Sequence, residues 1–299
     1  MGSPEGRGPG IVVLTGTSGG IGHATALALA ARGRSVVLVA RRKERLDRLA
    51  EAIQRVAPET HPSVHPADLS LEAEVRRVAQ EIRDAHPRID ALVNNAGAWF
   101  HRRAETSEGV ERTFALNVLA PVLLTELLRP SLRAAAPARV VMVSSAAHLG
   151  YDLELDDLEG RRHYRGFSSY GRSKLALILL THVLAERYRS DGIVVNALHP
   201  GFIRSRFGQN NEGIVGGAMW VLTRIAGRSA EYGAREPVRL ATAPEGGQVP
   251  GQYFVRGRSA RSSAPSYDPA VAARLWAQCA ARLRLDAPGE RTTLSGPPP

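Results

Sequence analysis

Tyr170 and Lys174 stand four residues apart in the stretch FSSYGRSKLALILL, just before an apolar run from Leu175 to Leu180. In a helix this spacing is about one turn, so the two side chains project from the same face. An ammonium group near a phenol stabilises the phenolate and lowers its pKa from about 10, which lets a tyrosine exchange protons near neutral pH. The alternative is a lysine that snorkels beside a packed aromatic ring, a common arrangement. These two residues alone leave both interpretations open.

A glycine-rich turn near the N-terminus predicts a nucleotide site. The segment IVVLTGTSGGIGHATALALAARG holds a β-branched run, the turn and a helical pattern, in that order. Glycine allows the backbone to approach a pyrophosphate, and the helix N-terminus presents free N–H groups to it. The spacing G-x-x-x-G-x-G is wider than the common dinucleotide fingerprint, but its context of strand, turn and helix is that of a dinucleotide site. We therefore predict that Gly16, Ser18, Gly20, Ile21 and Gly22 bind a dinucleotide.

The end of the second predicted strand indicates which dinucleotide is preferred. A carboxylate there would accept hydrogen bonds from a ribose 2′-hydroxyl and repel a 2′-phosphate. The sequence instead has Arg41 and Arg42, in VARRKERL, and the planar guanidinium group pairs well with phosphate. We predict a preference for NADP(H), with NAD(H) possible; the alternative is an ordinary basic first turn of a helix. Gly19 stands where many NADP-using proteins carry a basic residue, which leaves the preference less secure than the binding itself.

The elements that position these residues alternate along the chain. Short, continuously apolar runs, as expected for strands covered on both faces, occupy 11–16, 35–40, 90–97, 138–145, 192–200 and 252–257, with a further short strand near 63–65. Helical patterns occupy 20–32, 43–56, 71–85, 106–134 with an interruption, 169–189, 229–242 and 269–284. The fold class is therefore α/β: a single doubly wound Rossmann-type domain over residues 10–285, with a parallel sheet of about seven strands and helices on both faces. Residues 1–9 and 286–299 are poor in core-forming residues and are predicted to be disordered.

Taken together, the motifs resemble those of the short-chain dehydrogenase/reductase family from about Pro9 to Leu285. The resemblance rests on their order along the chain: TGTSGGIG, NNAG (94–97), ALN ending at Asn117, VSS ending at Ser145, YGRSK, and HPG (199–201). Any one of these motifs is unremarkable, but all of them at compatible spacings are specific. The retinol-dehydrogenase-like branch, including its bacterial relatives, is the most similar because of the insert YDLELDDLEGRRHYRGF (151–167) and the later GQYFV.

The resemblance implies roles for four catalytic residues. Tyr170 is the proton donor and acceptor, and Lys174 lowers its pKa and binds the nicotinamide ribose. Ser145 holds the substrate oxygen, with Ser144 as the competing candidate. Asn117 holds a water that connects Lys174 to solvent, unless it merely fills a helix defect.

The resemblance also extends the cofactor site. Asp68 and Leu69 are expected beside the adenine ring, although Ser70 next to them could instead cap the helix that begins at Leu71. Backbone of the NNAG segment is expected beside the adenine ribose, and the segment after the sixth strand is expected to close over the nicotinamide. These residues are Asn95, Ala96, Gly97, Pro200, Gly201 and Ile203.

Composition restricts the remaining possibilities. The chain carries 39 Lys+Arg against 29 Asp+Glu, a net charge of +10, but arginine is spread over nearly every predicted helix and no basic block is interleaved with aromatics. We therefore expect no nucleic-acid partner. The histidines lack ligand-like spacing, so no metal site is predicted, and the single Cys279 fits a reducing compartment. No signal segment or membrane span is expected, which makes a cytoplasmic location the default.

The expected function is an NADP(H)-dependent interconversion of a carbonyl and an alcohol, on a small and lipophilic substrate by analogy with the branch. Its substrate rim is predicted to comprise residues 98–103, the insert, and a lid at 202–226. The rivals are a non-catalytic dinucleotide sensor or scaffold on the same fold, and an epimerase or dehydratase of the extended relatives. The helix Leu175–Leu180 is apolar nearly all round, so a second subunit is expected to cover it in a homodimer or homotetramer.

Overall fold

The computed structural model describes residues 10–203 and 227–285. The segments predicted to be disordered, and residues 204–226 of the predicted lid, lie outside this part of the chain.

The described strands form one sheet. They are β1 (Ile11–Thr15), β2 (Ser35–Ala40), β3 (Ser63–Pro66), β4 (Ala91–Asn94), β5 (Ala138–Val143), β6 (Ile193–His199), β7 (Tyr253–Val255) and β8 (Arg258–Ala260). The order across the sheet is β3-β2-β1-β4-β5-β6-β7-β8, and every pairing is parallel except that of β7 with β8. The predicted parallel sheet is confirmed for β1 to β7. The prediction missed β8, because it has only three residues, of which Arg258 and Ser259 are polar and exposed, and so carries no apolar run.

Helices cover both faces of the sheet. They are α1 (Gly20–Ala30), α2 (Lys43–Val56), α3 (Glu72–Ala85), α4 (Arg112–Ala134), α5 (Gly166–Arg187), α6 (Ala230–Thr242) and α7 (Pro269–Arg282). Side chains alternate along β1: Val12 and Leu14 join the core under α1, α2 and α6, whereas Val13 joins the core on the other face, under α3, α4, α5 and α7. Each strand therefore needs apolar residues on both sides, which explains the continuous apolar runs.

The apolar half of α5 is covered by the same chain. Residues 175–180 are all at most 2% exposed, and α7 packs against α5 through Leu275 and Trp276. The guanidinium of Arg187 lies 4.3 Å from the centre of the Trp276 ring. Helix α7 of the same chain therefore supplies the cover that the apolar pattern led us to expect from a second subunit. The oligomeric state itself stays a prediction.

Helix α4 forms part of the core. In the described residues it is the one helix long and apolar enough to match a membrane span, at 23 residues, and 72% of its most apolar window is buried inside the fold. Its residues Val122, Leu123 and Leu124 belong to the core shared with α3 and α5. The length and apolar composition of α4 are therefore accounted for by its packing between the sheet and other helices.

Candidate active site

The turn after β1 has the shape of a phosphate-binding cradle. Gly16 and Gly20 have φ of +73° and +56°, which favours glycine, and a Cβ on Gly22 would lie only 2.3 Å from the Gly16 carbonyl oxygen. Helix α1 begins at Gly20 without a side-chain cap. Ser18 and Ile21 lie in the same turn, half-buried.

An unpaired polar atom fits this turn to an anionic ligand. The Thr17 hydroxyl is buried and has no hydrogen-bond partner among the described residues. Free N–H groups of an uncapped first turn and a positive dipole end favour a phosphate group. The residues present therefore fit the pyrophosphate of a dinucleotide.

Asn95 fixes the glycine turn in place. Its side-chain amide donates to the carbonyl oxygens of Thr15 at 2.8 Å and Gly16 at 3.3 Å. The Thr15 hydroxyl in return accepts from the backbone N–H groups of Asn95 and Ala96, at 3.0 and 2.9 Å. Asn95 thus shapes the cofactor site through its side chain, in addition to the backbone role that the sequence predicted.

Gly97 faces the catalytic residues. A Cβ at this position would lie 3.1 Å from the Lys174 ammonium nitrogen and 3.2 Å from Asn117 Oδ1. The NNAG segment therefore runs from the glycine turn to Lys174 and Asn117, and joins two parts of the site that are far apart in the sequence.

The adenine end of the predicted site combines the ends of β2 and β3. Arg41 and Arg42 follow β2 with exposed side chains, and Arg41 Nη1 lies 4.0 Å from Asp68 Oδ2. Leu69 beside Asp68 is buried. The guanidinium group of Arg41 is thus available at the edge where a 2′-phosphate would be read.

Ser70 does not cap the following helix. Its hydroxyl donates to Asp68 Oδ1 at 2.7 Å, and α3 begins at Glu72 without a local cap. The first N–H groups of α3 instead donate to the carboxylate of Glu108, at 2.6 and 3.0 Å. A carboxylate from a distant loop therefore satisfies the helix end, and the suggested capping role of Ser70 is wrong.

Asn117 lies in a π-helical turn, Ala115–Leu119, inside α4. Its amide donates to the Ala98 carbonyl at 2.9 Å and to Ser173 Oγ at 3.0 Å, while its Oδ1 accepts from Ala98 N at 2.9 Å. π-turns inside α-helices frequently occur at functional sites. Here the turn is the point where α4 holds both the NNAG segment and the helix that carries Tyr170.

The start of α4 depends on a buried carboxylate that sequence reasoning missed. Glu111 is 1% exposed and accepts hydrogen bonds from the N–H groups of Thr113 and Phe114, both at 2.8 Å. Tyr164 of the insert donates to the Phe100 carbonyl at 2.9 Å and contacts the Thr113 hydroxyl at 3.1 Å. The insert is therefore joined to the helix of Asn117 and to the predicted rim. Glu111 lies four residues before the ALN motif, and no local sequence pattern marks it as the residue that caps this helix.

Of the two adjacent serines, Ser145 faces the site. Ser144 is buried and donates to the backbone carbonyl of Lys174 at 2.9 Å. The Ser145 side chain accepts from Ala147 N at 3.1 Å and is hydrogen-bonded to the Tyr170 side chain. The two readings left open by the motif are thus separated by where each hydroxyl bonds.

Tyr170 and Lys174 lie close together on α5, both buried, with the ammonium nitrogen 5.7 Å from the centre of the phenol ring. Lys174 Nζ donates to the Val143 carbonyl at 2.9 Å. Burial raises the pKa of Tyr170 to about 12, partly offset by the hydrogen bond with Ser145. Burial lowers the pKa of Lys174 to about 8. In the protein chain alone, desolvation is therefore the main influence on the pKa of Tyr170. The prediction that Lys174, with an oxidised nicotinamide nearby, lowers this pKa stays a prediction.

The segment after β6 borders the glycine turn. Gly201 follows Pro200 with φ of +95°, and Ile203 is 5% exposed. A Cβ on Gly233 of α6 would lie 2.9 Å from Ile203 and 3.0 Å from Ile21. Gly233 therefore lets α6 pack closely against both Ile203, in the predicted nicotinamide segment, and Ile21, in the cofactor turn.

The part of the rim that the structure describes is aromatic. The rings of Trp99 and Phe167 meet edge to face with centres 6.2 Å apart, and the Phe167 and Tyr170 rings are 6.3 Å apart. Gly166 allows the start of α5 to pack closely against the rim backbone, since a Cβ there would lie 2.3 Å from the Phe100 carbonyl oxygen. In the described ranges, no three His, Cys, Asp or Glu side chains converge on a metal-binding geometry.

Comparison with known proteins identifies the family. The family model for short chain dehydrogenases matches residues 10–213. Human retinol dehydrogenase 13 is 36% identical over 94% of this chain and 86% of its own length. A protein of Streptomyces sp. (strain C5), assigned as the daunorubicin C-13 ketoreductase DnrU, is 38% identical over 94% of this chain and 96% of its own. The structure of Pseudomonas aeruginosa RhlG in an active-site complex with NADP is similar with a TM-score of 0.65 at 30% identity, covering 85% of this chain and 96% of that one.

The chain belongs to the short-chain dehydrogenase/reductase family, as the fold, the order of the motifs and these matches agree. It is an oxidoreductase of the class that acts on alcohol and carbonyl groups. Within the family it falls in the retinol-dehydrogenase-like branch, which the insert had indicated.

Proposed function

We propose that this enzyme uses NADP(H) to interconvert a lipophilic carbonyl compound and its alcohol, with Tyr170 as proton donor and acceptor. The observation that carries the proposal is the convergence of the hydrogen-bonded Tyr170 and Ser145 side chains with the buried Lys174. The three groups lie at the carboxyl edge of a parallel sheet, where ligands bind in open α/β folds.

The cofactor, when bound, supplies or accepts the hydride. The glycine turn would hold its pyrophosphate, and the guanidinium groups of Arg41 and Arg42 would pair with a 2′-phosphate. The related RhlG structure, a complex with NADP, supports this choice of dinucleotide.

The chain's own residues supply the proton and stabilise the developing charge. In reduction, the Ser145 hydroxyl donates to the carbonyl oxygen and Tyr170 transfers its proton to that oxygen, so that hydride and proton together convert C=O to CH–OH. The phenolate that remains is stabilised by the Lys174 ammonium. In oxidation the same groups act in reverse, and the phenolate removes the alcohol proton.

The protonation states suit the reductive direction near neutral pH. With a pKa of about 12, Tyr170 holds the proton that it must donate. With a pKa of about 8, Lys174 is mostly charged and can stabilise the phenolate that forms. A buried ammonium acts more strongly on a neighbouring charge than one in water.

Exposed apolar side chains around the site support a lipophilic substrate. Among the described residues, Leu149, Phe167 and Phe202 are 57%, 47% and 45% exposed. Each lies on a segment that carries a site residue: Leu149 after the Ser145 turn, Phe167 one turn before Tyr170, and Phe202 after Gly201. The names of two relatives, a retinol dehydrogenase and a daunorubicin C-13 ketoreductase, also support this proposal.

The first experiment measures NADPH oxidation with a panel of lipophilic aldehydes and ketones, comparing the wild type with Tyr170→Phe. We expect the variant to lose at least about a hundredfold in kcat while NADPH binds as before, because only the proton donor is removed. Equal turnover by both proteins would refute the role of Tyr170. Tight NADPH binding by the wild type without Tyr170-dependent turnover on the whole panel would favour the non-catalytic sensor.

The adjacent serines provide a matched pair. Ser145→Ala should lower kcat by about 10²- to 10³-fold, as expected for loss of one donor to a developing oxyanion. Ser144→Ala removes only a hydrogen bond to the Lys174 carbonyl and should change kcat by less than about fivefold. The reverse ranking would assign the substrate oxygen to Ser144.

Substrate polarity is tested with a homologous series of ketones. Each buried methylene group adds about 0.8 kcal/mol, so kcat/KM should rise about fourfold per carbon while the chain fills the site. Phe167→Ala should flatten this dependence. Val56→Ala serves as the control, since Val56 is 59% exposed at the C-terminal end of α2, the opposite end of that helix from Arg41 and Arg42.

A further inference from the structure

A buried imidazole lies directly behind the turn that carries Ser145. His148 is 1% exposed and ends the short 3₁₀ turn Ala146–His148, for which Ser145 is the N-cap. Its Nδ1 lies 2.6 Å from the Ser145 carbonyl oxygen, and its Nε2 lies 3.1 Å from the backbone N of Ser263. The ring also meets Tyr253 edge to face, with centres 5.2 Å apart.

The two partners of His148 require one tautomer. A carbonyl oxygen can only accept, so Nδ1 must carry the hydrogen; a backbone N–H can only donate, so Nε2 must carry the lone pair. A protonated ring would place a second N–H against the N–H of Ser263. The geometry therefore fits the neutral ring alone.

A second imidazole holds the N–H of the same peptide group, the one that joins Ser145 to Ala146. His199, the last residue of β6, accepts a hydrogen bond from Ala146 N at its Nδ1, at 3.2 Å. A donor faces this nitrogen, so His199 also fits only with a lone pair on Nδ1. The carbonyl oxygen and the N–H of the Ser145–Ala146 peptide group are thus held by two rings from different parts of the fold.

We propose that His148, assisted by His199, is a positioning residue for Ser145. The two neutral rings fix the turn so that the Ser145 hydroxyl is directed at Tyr170 and at the substrate oxygen. His148 also connects the turn to the C-terminal region through Ser263. This inference rests on the proposed function of Ser145, but the geometry that it requires can be tested independently.

Protonation of either ring removes an acceptor and loosens the turn. The groups that face the pair are His199 and His148 themselves, Arg256 beyond β7 and the Tyr253 ring. Helix α5, which carries Tyr170 and Lys174, packs against the turn itself. Burial, with smaller contributions from His148 and Arg256, lowers the pKa of His199 to about 4. Burial also lowers the pKa of His148, although its hydrogen bond to the Ser145 carbonyl acts in the opposite direction. The neutral rings should therefore persist through the neutral range and be lost only in acid.

The test is a double-mutant cycle on kcat for Tyr170-dependent turnover. His148→Leu should lower kcat at least tenfold with the Kd for NADPH unchanged, and should have almost no effect in a Ser145→Ala background, because it acts through that hydroxyl. His148→Asn, whose amide can donate to the Ser145 carbonyl as Nδ1 does, should restore most of kcat and shift the acid limb of the pH profile. An equal loss in both backgrounds would overturn the proposal.

Two further measurements keep the test decisive. His61→Asn is the control, since His61 is exposed at the far side of β2 and β3, and it should leave kcat and the acid limb unchanged. The ring state of His148 can be read from ¹⁵N shifts of the whole protein at pH 7, without any substrate. We expect the Nδ1–H tautomer; the Nε2–H tautomer or a charged ring would refute the positioning role even if Tyr170 proves catalytic, and absence of turnover with the expected tautomer would refute the proposed function instead.

Discussion

Replacement of Gly22 by alanine tests the geometry of the cofactor turn. A Cβ there would lie 2.3 Å from the Gly16 carbonyl oxygen and 2.6 Å from Asn95 Nδ2, and neither neighbour is free to move. Ordinary contacts are about 3.5 Å, so the turn must shift by about 1 Å. Overpacking of this kind destabilises by about 1–3 kcal/mol, offset by up to about 1 kcal/mol because alanine favours a helix.

The larger effect is expected on NADPH binding. A shift of the Gly16 backbone misaligns the N–H groups that would face the pyrophosphate, and hydrogen bonds to charged groups contribute about 1.5–3 kcal/mol each. Loss of one such bond weakens binding by about 10- to 100-fold. Isothermal titration calorimetry with NADPH gives the Kd, and thermal unfolding without NADPH separates this effect from a loss of folded protein.

Gly19→Ala is the matched control in the same turn. The ideal Cβ of Gly19 has no neighbour within 4 Å, and its backbone is extended, with φ of 166°. Its Kd for NADPH should stay within about twofold of the wild type, because nothing has to move. If Gly22→Ala bound NADPH as tightly as Gly19→Ala, the close-packed cradle would not be the binding geometry.

Three other changes probe separate parts of the structure. Asp substitution of Arg41 should raise the KM for NADPH by about 10- to 100-fold and leave that for NADH nearly unchanged, since one charge-assisted pair with phosphate is lost; steady-state kinetics with both cofactors checks this. Glu111→Ala should lower the free energy of unfolding in urea by about 2–4 kcal/mol because it leaves two buried N–H donors unpaired, whereas Glu111→Gln should lose less. For His199, with a folded pKa of about 4 against an ordinary 6.5, the unfolded chain binds the proton first, so its contribution to stability is lost as pH falls from about 6.5 to about 4. The difference between wild type and His199→Asn in urea unfolding should shrink by up to about 3 kcal/mol over that range, and a constant difference would contradict the neutral ring.

The sequence was most informative where local chemistry determines structure. Strands buried on both faces need continuous apolar runs, so β1, β2 and β5 could be located closely, and the alternation with helices determined the parallel topology. The glycine turn was equally accessible, because the positive φ at Gly16 and Gly20 is a property of single residues.

The sequence was least informative where distant residues meet. Glu108 caps α3 from a loop 36 residues away along the chain, which no local pattern could indicate, and the nearby Ser70 was the natural but wrong candidate. The apolar face of α5 correctly predicted a covering element but not its source, because periodicity shows that a face is buried and says nothing of what buries it.

The spacing of Tyr170 and Lys174 illustrates both limits together. Four residues on a helix place the two side chains on one face, and the structure agrees. The spacing does not show how deeply that face is buried, and burial moves the two pKa values in opposite directions, to about 12 for the phenol and about 8 for the ammonium. In the protein chain alone, a proton on Tyr170 and a charge on Lys174 are then favoured near neutral pH. In the mechanism that we propose, the lysine therefore has its main effect after proton transfer, when the phenolate forms beside it. The pair is better understood as stabilising the product of the proton transfer than as a tyrosine already poised to lose its proton.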